Sequence, residues 1–268
     1  MLIDSHCHLD ADDFDVDRAA VVAAARRAGV VAQVLPATHA AGWDKLRRIC
    51  ATPGEGLHAA YGLHPMFHDL HRDGDLAALT AWVDVHRPVA IGECGLDFFV
   101  PGLDRDAQQC VFDGQLRLAR DLDLPVIVHA RRAVDAVLAS FRRIGGLRGV
   151  VHSFSGSQQQ ARQLWDMGFL VGLGGPVTYP RAARLRRLAA TMPIECLLLE
   201  TDAPDQPDAA IPGQRNVPAR LVAVAAAIAA LRDAPLDDIA RATSDNARRL
   251  FALPHGGTAP MDATPAPA

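Results

Sequence analysis

His6 and His8 stand two residues apart in the opening segment LIDSHCHLD. On an extended chain that spacing turns both imidazoles to one face, where they can reach the same cation. Four more candidate ligands follow, each at the end of a short apolar run: Glu93 in AIGECGLD, His129 in VIVHARR, His152 in VVHSFSG and Asp202 in LLLETDAP. Imidazole nitrogens mixed with carboxylate oxygens are the inventory of a divalent metal site. A carboxylate offers two oxygens, so Glu93 can bridge two ions about 3.5–4 Å apart, as in two-metal hydrolytic sites. His6 and His8 would then serve the first ion and His129 and His152 the second. Asp202 would ligate the first ion, accept the proton of the attacking water, or do both. The chemistry expected is hydrolysis by metal-bound hydroxide, with the cations offsetting charge on a phosphoryl or carbonyl oxygen. A GxSxG nucleophile elbow is absent, and no Ser-His-Asp arrangement is needed.

Each position also has an ordinary reading. Glu93 can be a core carboxylate paired with an arginine, His129 and His152 satisfied core histidines, and Asp202 a helix cap. The set, rather than any member, argues for metal. Other residues carry two readings with less to separate them. His64, in a Gly-x-His-Pro segment, is either a substrate-contacting, proton-handling residue or part of a turn. Arg131 lies on the same side of its strand as His129 and either binds phosphate or pairs with Asp135. Tyr179 and Arg181, in GPVTYPRA, either contact a phosphate or base or form loop surface. The catalytic set is thus Asp202, Glu93 and His64, with His64, Arg131, Tyr179 and Arg181 facing substrate. Cys7 and Cys94 alternate away from the proposed ligands and are expected in the core.

The elements that must position these residues are legible as alternating patterns. Eight short apolar runs (LID, VAQVLPA, LHAAYGLHP, PVAIGECGLD, LPVIVHA, GVVHSFSG, FLVGLGG and ECLLLETDAP) read as parallel strands buried on both faces. Helical patterns lie between them. Val16, Ala20, Ala23 and Ala24 form a stripe ended by Gly29. Ser157 and Gln160 form a capping box before Ala161, Leu164 and Trp165, with Gly168 closing that helix. Leu221, Val224, Ala225 and Ile228 repeat at helical spacing behind Pro218. Eight units over residues 1–254 average about 32 residues, the size of a βα repeat. The expected fold is α/β, a single (β/α)8 TIM-type barrel spanning 1–254 with the metal site at the C-terminal face, where barrel enzymes keep their chemistry. An open doubly wound sheet loses its main support because no GxGxxG follows the first strand. Residues 255–268, rich in Gly, Pro and Ala, read as a disordered tail.

Composition narrows the partners. The chain has 268 residues, half of them apolar and 22% charged, with a net charge of −4. That suits a folded domain and argues against a coat of positive charge for broad nucleic-acid binding, though not against a local phosphate site. Lys45 is the single lysine. Five scattered cysteines without a CxxC pair suit a reduced compartment. The opening segment carries Asp4 and Asp10 and no basic region, so it does not read as a secretory signal, and Leu221–Leu231 is too short to span a bilayer. A cytoplasmic monomer without membrane or obligate protein partner is the expectation.

Taken together, DSHCHLD, GLHP, GECGLDF, PVIVHARRAVD, VVHSFSGS and LLLETDAP, followed by NARRLF, resemble the TatD family of metal-dependent hydrolases over nearly the whole chain. HSFSGSQQQA and TYPRA are similar to its YjjV-type subgroup. The resemblance implies a barrel with one or two divalent ions (Mg²⁺, Mn²⁺ or Zn²⁺) and deoxyribonuclease activity of the 3′→5′ exonuclease type, with DNA single strands or 3′ ends as substrate. By matching motif it puts His6, His8 and Asp202 on one ion, His129 and His152 on the other, and Glu93 between them. Relatives in the wider superfamily bridge their metals with a carbamylated lysine, and here no lysine stands at a strand end. Some family members act as D-aminoacyl-tRNA deacylases, so an ester or amide hydrolase is the alternative.

Overall fold

Eight parallel strands pair in chain order, β1-β2-β3-β4-β5-β6-β7-β8, in the computed structural model, which describes residues 1–254. The tail expected for 255–268 lies outside the described residues. The strands are β1 Leu2–Asp4, β2 Val30–Pro36, β3 Leu57–Tyr61, β4 Ala90–Asp97, β5 Val126–Arg131, β6 Gly149–Val151, β7 Phe169–Leu173 and β8 Leu197–Leu199. Nine α-helices accompany them among the described residues: α1 Arg18–Arg27, α2 Trp43–Cys50, α3 Asp75–Val85, α4 Arg105–Asp121, α5 Val134–Ile144, α6 Gln158–Asp166, α7 Ala183–Thr191, α8 Leu221–Arg232 and α9 Leu236–Phe251. The ring closes where the Ser5 amide donates to the Leu199 carbonyl at 3.0 Å, with the Ser5 hydroxyl reinforcing it at 2.9 Å. The fold is the (β/α)8 barrel that the alternating runs predict.

Strands apolar on both faces build two cores. Outward side chains such as Leu35, Ile91, Val126, Val128 and Val171 pack under the helices. Inward ones (Ile3, Ala32, Val34, Ala60, Ala90, Ile127, Val150 and Leu198) form a separate cluster inside the ring. Each fully buried large aliphatic contributes about 1.5–3 kcal/mol, which holds the strand ends, and hence the mouth, in place. Ala247, Leu250 and Phe251 of α9 and the following Leu253 belong to the inner cluster and stopper the N-terminal end of the barrel. This second helix after β8 is not anticipated by a one-strand, one-helix count.

Local signals hold unevenly. The Ser157–Gln160 capping box forms, and Gly29 closes α1 with φ of +90°. The α1 stripe, however, is Val21, Val22 and Ala25, and Val16 lies before the helix, 99% exposed. A 3-10 turn over Asp12–Phe14, pinned by buried Phe14, takes up the chain before α1 and shifts the helical phase. Among the described residues no helix is long and apolar enough to cross a membrane.

Candidate metal centre

Asp4 closes β1 with a carboxylate that accepts hydrogen bonds from the Thr201 amide at 2.9 Å, the Thr201 hydroxyl at 2.5 Å and the His6 amide at 3.3 Å. This joint ties the end of β1 to the segment leaving β8. The pairing continues as the Asp202 amide donates to the His6 carbonyl at 2.9 Å and the His8 amide to the Ala203 carbonyl at 2.7 Å. His6, His8 and Asp202 are thereby fixed together at the mouth. Glu93 projects from β4 and His129 from β5, while His64 and His152 sit just beyond β3 and β6.

Glu93 lies at the centre. Its Oε2 faces His6 Nε2 at 3.1 Å and His8 Nε2 at 3.4 Å. Its Oε1 faces His152 Nε2 at 2.7 Å, His64 Nε2 at 2.9 Å and His129 Nδ1 at 3.3 Å. Asp202 Oδ1 stands 3.4 Å from His6 Nε2 and 3.6 Å from His8 Nε2. The structure therefore brings all six expected ligands into one cluster, with the two histidine pairs on opposite oxygens of Glu93. Several three-residue subsets place their ligand atoms within 4.8 Å of one another.

Whether these residues fit a cation can be judged from their unmet valences. Glu93 is 1% exposed, yet neither of its oxygens accepts a well-directed hydrogen bond. The nitrogens facing them carry lone pairs that repel the carboxylate unless a proton or a cation lies between. The outer nitrogens are held to suit. His8 Nδ1 lies 3.2 Å from the Pro36 carbonyl, and His129 Nε2 lies 2.9 Å from Asp97 Oδ2. Both contacts put the ring proton on the far nitrogen and leave the inward one free to ligate. The donor set fits one or two divalent cations.

His64 differs from the other histidines. Its Nδ1 accepts from the Met66 amide at 3.1 Å, so in the neutral ring Nε2 carries the proton and points it at Glu93. That ring is a donor toward the cluster. Burial, only partly offset by Glu93, lowers His64 to about 4 and keeps it neutral at pH 7. Burial also opposes charge on His8 and His152, but nearby carboxylates, Glu93 first, outweigh it and lift them to about 9 and about 10. Glu93, which burial alone would raise, is held well below the usual carboxylate range by His152, His64 and His6. Burial raises Asp202.

Four supporting residues carry no assignment in the sequence reading. Asp97 orients His129 and is itself held by the Phe99 and Val100 amides at 2.8 and 3.0 Å. Burial raises it, but His129 and those two amides prevail and hold it near 2. Its place four residues after Glu93 on the same face of β4 is a signal that alternation could have found. Asp4 forms the strand joint described above. Glu200 lies fully buried, accepting from the Ser153 amide at 2.5 Å, with its Oε1 4.0 Å from His152 Nδ1. It fits because Gly172 lacks a side chain: a Cβ there would come within 2.1 Å of Glu200 Oε2. Gln206 donates from Nε2 to Asp202 Oδ2 and exchanges hydrogen bonds with the Ser153 hydroxyl. Asp202, Ser153 and Gln206 all have left-handed backbone, with φ of 57°, 45° and 50°. A loop glutamine gives no sequence signal.

The remaining expectations divide. Arg131 lines the cavity over the cluster, and Asp135 instead accepts from Gln160 at 2.7 Å. Tyr179 and Arg181 stand outside the residues that line the cavity. The Tyr179 hydroxyl serves the Pro207 carbonyl at 3.0 Å, tying the loop after β7 to the one after β8. Cys7 and Cys94 are buried in the core. Lys45 is taken up by Asp12 at 2.7 Å and Asp15 at 2.9 Å.

A profile of the family described as TatD related DNase matches residues 3–252. The chain belongs to the TatD family. It is 42% identical to a protein of Escherichia coli K12 named uncharacterized metal-dependent hydrolase YjjV, over 94% of this chain and 98% of that one. The crystal structure of the TatD homologue YjjV from Escherichia coli K12 superposes with a TM-score of 0.90 at 41% identity, covering 94% of this chain and 98% of that one. A Klebsiella pneumoniae protein named 3′-5′ ssDNA/RNA exonuclease TatD is 34% identical over 96% of this chain and its own full length. The chain is accordingly a metal-dependent hydrolase of the TatD type, with a buried His/Glu/Asp cluster able to hold metal at the mouth of its barrel.

Proposed function

We propose that this TatD-family hydrolase is a phosphodiesterase acting on DNA, removing nucleotides from the 3′ end of a strand. The observation that carries the reading is the division of Glu93, one oxygen toward His6 and His8 and the other toward His129 and His152. His6, His8, Glu93 and Asp202 would hold a first divalent cation, and Glu93, His129 and His152 a second. Such cations acidify water and offset the charge that grows on a phosphoryl oxygen.

The chain's own groups supply the rest. Asp202, raised by burial, is a better base near neutral pH than an exposed aspartate and takes the proton of the attacking water at Oδ1. Gln206 occupies its Oδ2 and fixes which oxygen is presented. His64 keeps its Nε2 proton at pH 7 and holds it toward Glu93 Oε1; were that oxygen taken up by a cation, the proton would be free to serve as a hydrogen bond to the scissile phosphate. Arg131, in the cavity wall, meets the phosphate charge. The Klebsiella relative's name supports a nucleic-acid substrate.

The test uses chelator-stripped protein, end-labelled single-stranded DNA, and Mg²⁺, Mn²⁺ or Zn²⁺ added back separately. Stepwise shortening from the 3′ end that needs metal and is lost in Asp202→Asn is the expected result. Bound metal without cleavage by any ion would overturn it and move the search to ester and amide substrates, aminoacyl-tRNA first.

A further inference from the structure

The cavity over the cluster, of about 1020 Å³, has two unlike walls. On the side of the loops after β1 and β8 it is lined by Asp10, Asp12, Asp13 and Asp205. Lys45, the one cation among the described residues lining that side, is taken up by Asp12 and Asp15. The side formed by the loops after β3, β4 and β5 is apolar and basic. Met66 and Phe67 line it, and Leu70 and Phe99 lie on the same loops outside the lining; together they are four of the eight large hydrophobic side chains left exposed among the described residues. Phe67, 38% exposed and in the cavity wall, lies parallel to His39 at 5.9 Å and edge-on to His64 at 5.6 Å. It is thus one residue removed from Glu93. Arg131 and Arg132 both lie over the Phe99 ring, at 3.7 and 4.7 Å. Neither guanidinium has a carboxylate within 4.0 Å among the described residues, whereas eleven of the other twenty-four arginines, and Lys45, are held in ion pairs.

Exposed aromatic surface costs solvation, and paired cations on one ring without counterions repel each other. A ligand that removes both penalties has a flat apolar face and an adjoining anion. Peptides and simple esters lack that pairing, and an unpaired nucleotide has it. A duplex does not, because its base faces are already stacked on one another.

We infer that this wall is a strand-gripping shelf, resting on the nucleic-acid reading above. Phe67 with His39 stacks the base next to the scissile linkage. Arg131 and Arg132, anchored on Phe99, clamp a neighbouring backbone phosphate. The acidic wall opposite turns the phosphates toward the arginines, so the strand runs along one side of the mouth. Selection of unpaired ends then resides in Phe67, and charge attraction in the arginine pair.

Binding is measured with metal-loaded full-length protein and a fluorescein-labelled single-stranded thymidine decamer whose phosphorothioate linkages resist cleavage. An abasic decamer and a duplex of the same backbone serve as comparisons. The decamer should bind about 5- to 150-fold more tightly than either, since one stacked base contributes about 1–3 kcal/mol. Phe67→Leu, which keeps apolar bulk and spares the fold, should erase that preference and leave the salt slope alone. Arg131→Gln with Arg132→Gln should lower the slope of log affinity against log salt by about 1 and keep the base preference. Equal binding of the abasic strand or the duplex would overturn the shelf, as would a Phe67→Leu protein with unchanged preference. Cleavage of unmodified DNA separates the two readings. A protein that cleaves DNA but ignores Phe67→Leu refutes the shelf alone. A protein that binds through Phe67 yet cleaves no nucleic acid with any ion refutes the proposed reaction alone.

Discussion

The two ends of the barrel solve opposite problems with the same strands. At the N-terminal end, α9 presses Leu250 and Phe251 into the inner cluster. Two of its buried polar side chains there are satisfied, although Arg248 Nε is not: Asn246 donates to the Ile194 and Leu197 carbonyls at 2.7 and 2.9 Å, and Ser244 to the Met1 carbonyl at 3.1 Å. At the C-terminal end, Glu93 Oε1 and Oε2, His6 Nδ1, His152 Nδ1 and Glu200 Oε2 are buried without hydrogen-bond partners. Ser153, Asp202 and Gln206 hold left-handed backbone that costs about 1–2 kcal/mol each for residues with a Cβ. The stoppered end supplies stability, and the mouth consumes part of it to keep ligand atoms facing one another. Five of the eleven buried side-chain polar atoms left without partners among the described residues lie in this one cluster, a concentration that suits a place for a cation.

The contrast can be broken by substitution at either end. The largest effect is expected at the stopper: Phe251→Ala should cost about 3–5 kcal/mol of unfolding free energy while the folded fraction keeps its metal content. Denaturant titration beside metal analysis checks this, and loss of metal from folded protein would dissolve the distinction. At the mouth, Glu93→Gln should weaken metal binding by more than about 100-fold, beyond the range for changes outside the ligand set, without comparable loss of stability. Asp97→Asn leaves all six ligands in place but removes the acceptor that orients His129, so metal affinity should fall about 10- to 100-fold. Calorimetric titration with Zn²⁺ or Mn²⁺ reads both variants.

Protons compete for the same place. In the metal-free protein His8 and His152, at about 9 and about 10, carry protons at neutral pH, and a cation must displace them. Raising the pH from 7 toward 9 weakens that competition. Metal affinity should therefore rise with pH, by about tenfold per unit for each proton displaced. Titrations in buffers of different ionisation enthalpy count the protons released, and affinity that falls over this range would contradict the assignment. The smallest effect is expected at Gln206→Gly, which relieves left-handed backbone while freeing Asp202 Oδ2. Stability should change by no more than about 1 kcal/mol, with activity falling further than that difference explains.

Legibility in the sequence followed the same division. The eight strands were readable because parallel strands buried on both faces are written as unbroken apolar runs. The cluster was readable because polar residues at the ends of such runs have one place to go in a barrel, and His6-x-His8 declares its face by spacing alone. The phase of α1 was misread because a run of alanines and valines around Val16 marks no single stripe, and buried Phe14 decides it from outside the helix. Tyr179 and Arg181 read as substrate contacts because loop residues beside a mouth look alike in sequence. Only the folded loop turns the Tyr179 hydroxyl onto the Pro207 carbonyl.

Residue type and local period therefore determined the barrel and the six groups that meet at one end of it, because those properties act over a few residues of chain. Tertiary structure alone decided which ring nitrogen each histidine presents, that Asp97 and Gln206 hold the ligands' outer atoms, and that one wall is acidic while the other is aromatic and basic. These depend on contacts between distant segments, such as Asp4 with Thr201 or Glu200 over Gly172, and no short stretch of sequence encodes them.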